Sequence, residues 1–124
     1  MNLVMIGRFK EKADASEALK ILEKMEERIR AMDSGEIRPD RYNNTALQLL
    51  IEMNISTVGS GELEQFQFDV RLDQKGRELV LTTQESEISA YLKVMIEKGA
   101  KVEVFSRHDY PEADSDKRKD EEAD

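Results

Sequence analysis

Apolar and polar positions recur with different periods along this chain, and each change of period marks an element. Leu3, Val4, Met5, Ile6, Gly7 and Phe9 form a run that is hydrophobic on both alternating faces and is broken by Lys10, Glu11 and Lys12. A strand has that pattern when both of its faces are covered, so the run predicts the central strand of a sheet. Asp14, Ala15, Ser16 and Glu17 then have the form of a capping box, which predicts a helix start at Asp14. Behind it Ala15, Ala18, Leu22, Met25, Ile29 and Met32 recur at three- and four-residue spacing, an apolar helix stripe, and Gly35 stands where a left-handed residue would end it.

Pro39 marks a connection, after which Tyr42, Ala46, Leu49, Leu50 and Met53 resume helical spacing behind Asp40 or Asn43 as N-cap. The stretch Asn54 to Gly61 reads as a loop. From Gln65 the period becomes two: Phe66, Phe68, Val70 and Leu72 alternate with Gln65, Gln67, Asp69 and Arg71. Asp73 to Gly76 supplies a turn and Leu79 and Leu81 return, which predicts a hairpin. Thr83 or Ser86 caps a third helix carrying Ile88, Tyr91, Leu92, Met95 and Ile96 and ending at Gly99; Val102 and Val104 form a last strand.

The resulting order, β-α-(α)-β-β-α-β, is the split arrangement called ferredoxin-like, with one extra helix before the hairpin. Right-handed crossovers give an α+β domain with a four-stranded antiparallel sheet and helices mainly on one face. Phe66, Phe68, Val70, Leu72, Leu79, Leu81, Val102 and Val104 are the helix-facing set. The other face receives Val80, Thr82, Phe105 and either Val4 and Ile6 or Leu3 and Met5. With the first choice, Val80, Phe105, Val4 and Ile6 form an apolar patch and the candidate interface. Its cover is either a second subunit or residues 42–61.

Composition sharpens this picture. The 124 residues are 39% hydrophobic and 37% charged, enough apolar surface for one core. Of the net charge of −8, the segment Asp109–Asp124, with eight acidic and three basic residues, contributes −5, which leaves −3 for the rest. We therefore expect a domain over 1–108 and a disordered acidic tail over 109–124. The acidic balance repels nucleic acid, and the strands that would stack bases lack aromatic pairs. No apolar window approaches membrane-spanning length and the first residues lack a basic leader region, so the expectation is a soluble, cytoplasmic protein without a membrane partner. The absence of cysteine removes disulfides and thiolate zinc sites.

Candidate chemistry is sparse. His108 is the only histidine and stands beside Asp109, without a second histidine or spaced carboxylates. Gly59-Ser60-Gly61 leads into the acidic Glu62-Leu63-Glu64 and so does not cradle an anion. No catalytic residue, metal or cofactor is assigned. The reading is a non-catalytic interaction or regulatory module acting as a homodimer, with itself and possibly another protein as partner. One alternative is a ligand binder or enzyme of the dimeric α+β barrel type, its pocket lined by Gln65, Gln67, Asp69, Arg71, Glu103, Arg107 and His108. A second alternative is an acidic tail that binds basic partners.

Overall fold

The computed structural model describes residues 2–32 and 44–106. In chain order these form β1 (Leu3–Arg8), α1 (Lys12–Arg30), α2 (Asn44–Glu52), a 3-10 helix (Ser60–Gln67), β2 (Val70–Lys75), β3 (Glu78–Thr83), α3 (Ser89–Glu97) and β4 (Lys101–Ser106). The protein is α+β, with a four-stranded sheet of order β2-β3-β1-β4 in which every neighbouring pair is antiparallel. The expected acidic tail, the helix stop at Gly35 and the caps at Asp40 or Asn43 lie outside the described residues.

β1 is a central strand, and its alternation divides the apolar run between two clusters. Met5 and Leu3 join α1 and α3 in the main core, while Val4 and Ile6 belong to a second cluster on the other side of the sheet. Gly7 allows α3 to come close, since a Cβ there would lie 2.8 Å from the Met95 sulfur. The hairpin turns through Gly76, whose φ of +61° strains any other L residue.

The stripe of α1 is buried as its spacing implies, through Ala15, Ala18, Ile21, Leu22, Met25 and Ile29. Its start departs from the capping-box reading. Glu11 occupies the N-cap position without a side-chain bond, and Asp14 lies inside the first turn. A cap contributes about 1 kcal/mol, whereas burying even one large aliphatic side chain contributes about 1.5–3 kcal/mol. Packing of the stripe therefore outweighs the cap in placing the helix. In the same way α3 begins at Ser89 behind Ile88, with no side-chain cap, and the Thr83 hydroxyl instead accepts from the Glu85 amide at 3.0 Å.

The larger correction concerns 60–69. The period-two pattern from Gln65 predicts strand, yet Ser60–Gln67 is a 3-10 helix and β2 begins at Val70. Leu63 and Phe66, three residues apart, are 1% and 0% exposed, the spacing that a 3-10 turn brings to one side. Phe68, expected in the core, is half-buried beyond the end of that helix. Arg30 fixes the exit by donating from Nε to the Phe66 carbonyl at 3.1 Å and from its terminal nitrogen to the Phe68 carbonyl at 2.6 Å. These two carbonyls thus find a partner on α1 and not on a neighbouring strand.

The described part of the segment between α1 and β2, from Asn44 onward, packs on the helix side of the sheet. Ala46, Leu49, Leu50, Ile55, Val58 and Leu63 all join the main core. Val104 shares that side by register with Met5 but stays 49% exposed, because β4 is an edge strand.

Candidate functional site

The register places three rows of four strand residues on the outward face, away from α1 and α3. Asp73, Val80, Ile6 and Glu103 lie side by side, as do Arg71, Thr82, Val4 and Phe105; Lys75, Glu78, Arg8 and Lys101 make the row beyond. Residues directly opposite one another in an antiparallel sheet point to the same face, so three aligned rows cross the whole sheet. At their centre Val4, Ile6 and Val80 form the second apolar cluster, with Phe105 packed against it. Among the described residues strand residues alone build this cluster; neither the three helices nor the 3-10 helix contributes a side chain.

The cluster is dry. Val4, Ile6 and Val80 are 1%, 2% and 8% exposed, and Phe105 is half-buried. Charged side chains stand around it. Arg8 pairs with Glu78 at 2.8 Å and also with Glu103, while Arg71 Nε donates to Asp73 at 2.8 Å. Exposed pairs of this kind contribute little to stability, typically under about 1 kcal/mol, so their effect is on what the face can meet.

The proposed pocket residues are distributed differently. Arg71 and Glu103 share the outward face at opposite edges, and Asp69 is exposed just before β2. Gln65 is buried on the 3-10 helix, where its amide accepts from the Ala90 backbone N–H at 2.8 Å and donates to Ser89 at 3.2 Å. Gln67 is exposed at the end of that helix, and Arg107 and His108 lie outside the described residues. Gln65 and Gln67 are thus not gathered with Arg71 and Glu103.

Sequence reasoning missed a set of anchoring carboxylates. Glu97 accepts from the amides and hydroxyls of Ser56 and Thr57 at 2.6–3.2 Å. Burial acts to raise its pKa, but those bonds, the Thr57 hydroxyl first, hold it below the ordinary value. Glu62 is likewise opposed by burial and yet held low by Lys93, Ser89 and the Gly59 amide. Glu26 goes the other way. Burial beneath α3 raises it, against the Tyr91 hydroxyl that donates to it at 2.9 Å and the Arg30 charge. Burial and then the Glu26 charge push the Tyr91 hydroxyl up in turn. Each carboxylate holds neighbouring elements together, and no spacing rule in one dimension reveals partners 27 to 65 residues away.

A cleft of about 430 Å³ is lined by Asp14, Glu17, Ala18, Glu97, Lys98 and Gly99. Glu97 is committed to Ser56 and Thr57, and Lys98 donates to the Met53 carbonyl at 2.7 Å, so neither is available to a ligand there. Among the described residues no three His, Cys, Asp or Glu side chains are grouped to hold a metal, and no helix is long and apolar enough to cross a membrane.

Fold and face together define a small α+β protein whose sheet carries a separate apolar cluster on the side its described helices do not reach. The chain belongs to DUF6375, a family of unknown function, whose profile matches residues 1–118. No curated protein and no solved structure matches it significantly.

Proposed function

We propose that this protein is a ferredoxin-like module that works by binding, as a homodimer joined through the outward face of its sheet. The fold assignment is supported by the strand order β2-β3-β1-β4, the antiparallel pairing throughout and the two crossings made by α1 and α3. The binding role is carried by one observation: an apolar cluster of Val4, Ile6, Val80 and Phe105, separated from the main core and, among the described residues, built from strands alone. The half-buried Phe105 and the charged side chains around the cluster are the part of this face that a partner would meet, an apolar centre with a polar rim.

The burial values set its strength. Val4 and Ile6 are already nearly dry, so a partner gains new apolar burial chiefly from Phe105 and Thr82. Affinity follows the quality and extent of newly buried surface, which points to a micromolar dimer and not an obligate one. Sedimentation velocity across the micromolar range is the test. The wild type should pass from monomer to dimer, and Phe105→Glu, which brings an unpaired charge to the interface, should remain a folded monomer by circular dichroism. A wild type that stays monomeric throughout refutes the reading.

A further inference from the structure

Among the described residues β4 pairs only with β1, so over 101–104 every second residue turns its N–H and C=O away from the sheet. Such an edge is a template for another extended chain unless side chains or a neighbouring element cover it. Here the flank is apolar and open. Val104, on the helix side by its register with Met5, is 49% exposed, and Ile96 of α3 is 54% exposed.

The helix layer explains this opening. α1 packs over β2 and β3, and α3 packs over β1 and β4. Within α3, Tyr91 reaches Glu26 on α1, Met95 lies against Gly7, and Ser89 and Lys93 hold Glu62. Helical spacing leaves Leu92 and Ile96, four residues apart, for the side that looks past β4, where Leu92 and Val102 are partly buried against the core. The opposite edge differs: Gln74 of β2 donates to the Lys12 carbonyl and to Ser16 on α1, and Val70 and Leu72 pack against the main core.

We propose that the edge of β4 takes an extended segment of another protein as a fifth strand, with apolar residues at alternate positions over Val104 and Ile96 and an acidic residue between them beside Lys101. Backbone pairing fixes the occupant as an extended chain, since that form offers a matching row of N–H and C=O groups. The open apolar strip fixes its alternate residues as apolar, and charge fixes the residue between. Arg8 serves both Glu78 and Glu103, whereas Lys101 is exposed and has no acidic partner among the described residues. Opposed residues of paired strands share a face, so an acidic residue opposite Lys101 lies on the outward side while its neighbours turn to the helix side. The strand edge is distinct from the outward face, and this binding does not rest on the homodimer reading.

The test is fluorescence anisotropy with the full chain and a blocked, labelled hexapeptide that alternates valine and glutamate. Because the protein carries a net charge of −8, attraction of an acidic peptide reports a local site and not the overall field. The peptide should bind at least about tenfold more tightly than its counterpart with lysine for glutamate, and N-methylation of its backbone amides should abolish binding. Lys101→Glu should reverse the preference, and Val104→Lys should weaken binding by about tenfold or more. Both replace exposed side chains, and thermal melts matching the wild type establish that the fold is kept. Binding that both variants leave unchanged, or no binding of the valine-glutamate peptide at about 1 mM, overturns the proposal. Self-association that Val104→Lys abolishes and Phe105→Glu leaves intact makes a second copy the occupant and overturns it as well. A wild type that stays monomeric but binds the peptide overturns the homodimer reading alone.

Discussion

Replacing Phe66 with alanine separates the 3-10 helix from a continuous strand over the same residues. The Phe66 side chain is fully buried, and its ring centroid lies 4.9 Å from that of Tyr91 at an interplanar angle of 52°. Truncation removes the ring and leaves its carbonyl on Arg30, so the loss is burial and cavity without a broken backbone bond. A buried phenylalanine costs about 3–5 kcal/mol when cut to alanine, of which a tilted ring pair accounts for about 0.5–1.5 kcal/mol. With a urea slope of about 1–3 kcal/mol/M, the unfolding midpoint should fall by about 1 M or more. Phe68 is half-buried and its truncation should cost under about 2 kcal/mol; exposed Gln67→Ala should stay within about 0.5 kcal/mol. A continuous strand puts Phe66 and Phe68 on one face and makes their losses similar. Equal midpoint shifts for the two phenylalanine variants would falsify the 3-10 geometry.

The anchoring carboxylates make further predictions. Glu97→Gln weakens the hold on Ser56 and Thr57 and should cost about 1 kcal/mol at neutral pH, reduced by exposure of the site. Because the folded pKa of Glu97 lies below 4.5, this stabilisation is present above that pH and is lost as pH falls through the folded value, so wild type and variant should converge in acid melts. Glu26 has the opposite sign: its folded pKa is raised above 4.5, and ionisation works against the fold as pH rises from 4.5 through the folded value. The stability of the wild type relative to Glu26→Gln should therefore decline across that window; a difference independent of pH refutes the assignment. Gly7→Val should destabilise strongly in chemical denaturation, since even one Cβ meets the Met95 sulfur at 2.8 Å, and Gly7→Ala should cost less because that thioether can shift.

Much of the fold was legible where burial itself generates the periodicity. The run at β1 and the stripe of α1 are read directly from residues whose spacing matches one buried side, and the hairpin from Val70 onward follows from alternation around Gly76. Val80 and Phe105 were legible on the outward face, but the parity of β1 stayed open between Val4 with Ile6 and Leu3 with Met5, because both alternating sets are apolar; the structure puts Met5 beneath the helices and Val4 and Ile6 on the other face. What misled was coincidence of period. Gln65, Phe66, Gln67 and Phe68 alternate as a strand does, yet Gln65 is 7% exposed because its amide bonds to the start of α3. A polar residue buried by a distant hydrogen bond leaves no signature in local hydropathy. The cap signals at Asp14 and Thr83 failed for a related reason: each is a weak local preference set against packing of a whole helix.

The same anchors explain why the outward face is left to its strands. An insertion between α1 and β2 could fold over either side of the sheet, and hydrophobicity alone does not choose between them. Directional bonds decide it. Glu97 and Lys98 seize the backbone just after α2, Glu62 and Gln65 bind the start of α3, and Arg30 takes the carbonyls at the exit of the 3-10 helix. Every one of these partners lies on α1, on α3 or at the C-cap of α3, so the described insertion is tied to the helix layer from the end of α2 to the exit of the 3-10 helix. Each of these bonds contributes about 0.5–1.5 kcal/mol net, less at the exposed sites, and together they make a swing of the described insertion across the sheet edge costly. The apolar cluster of Val4, Ile6 and Val80 is therefore not covered by the described part of this insertion, whose apolar residues are held in the main core.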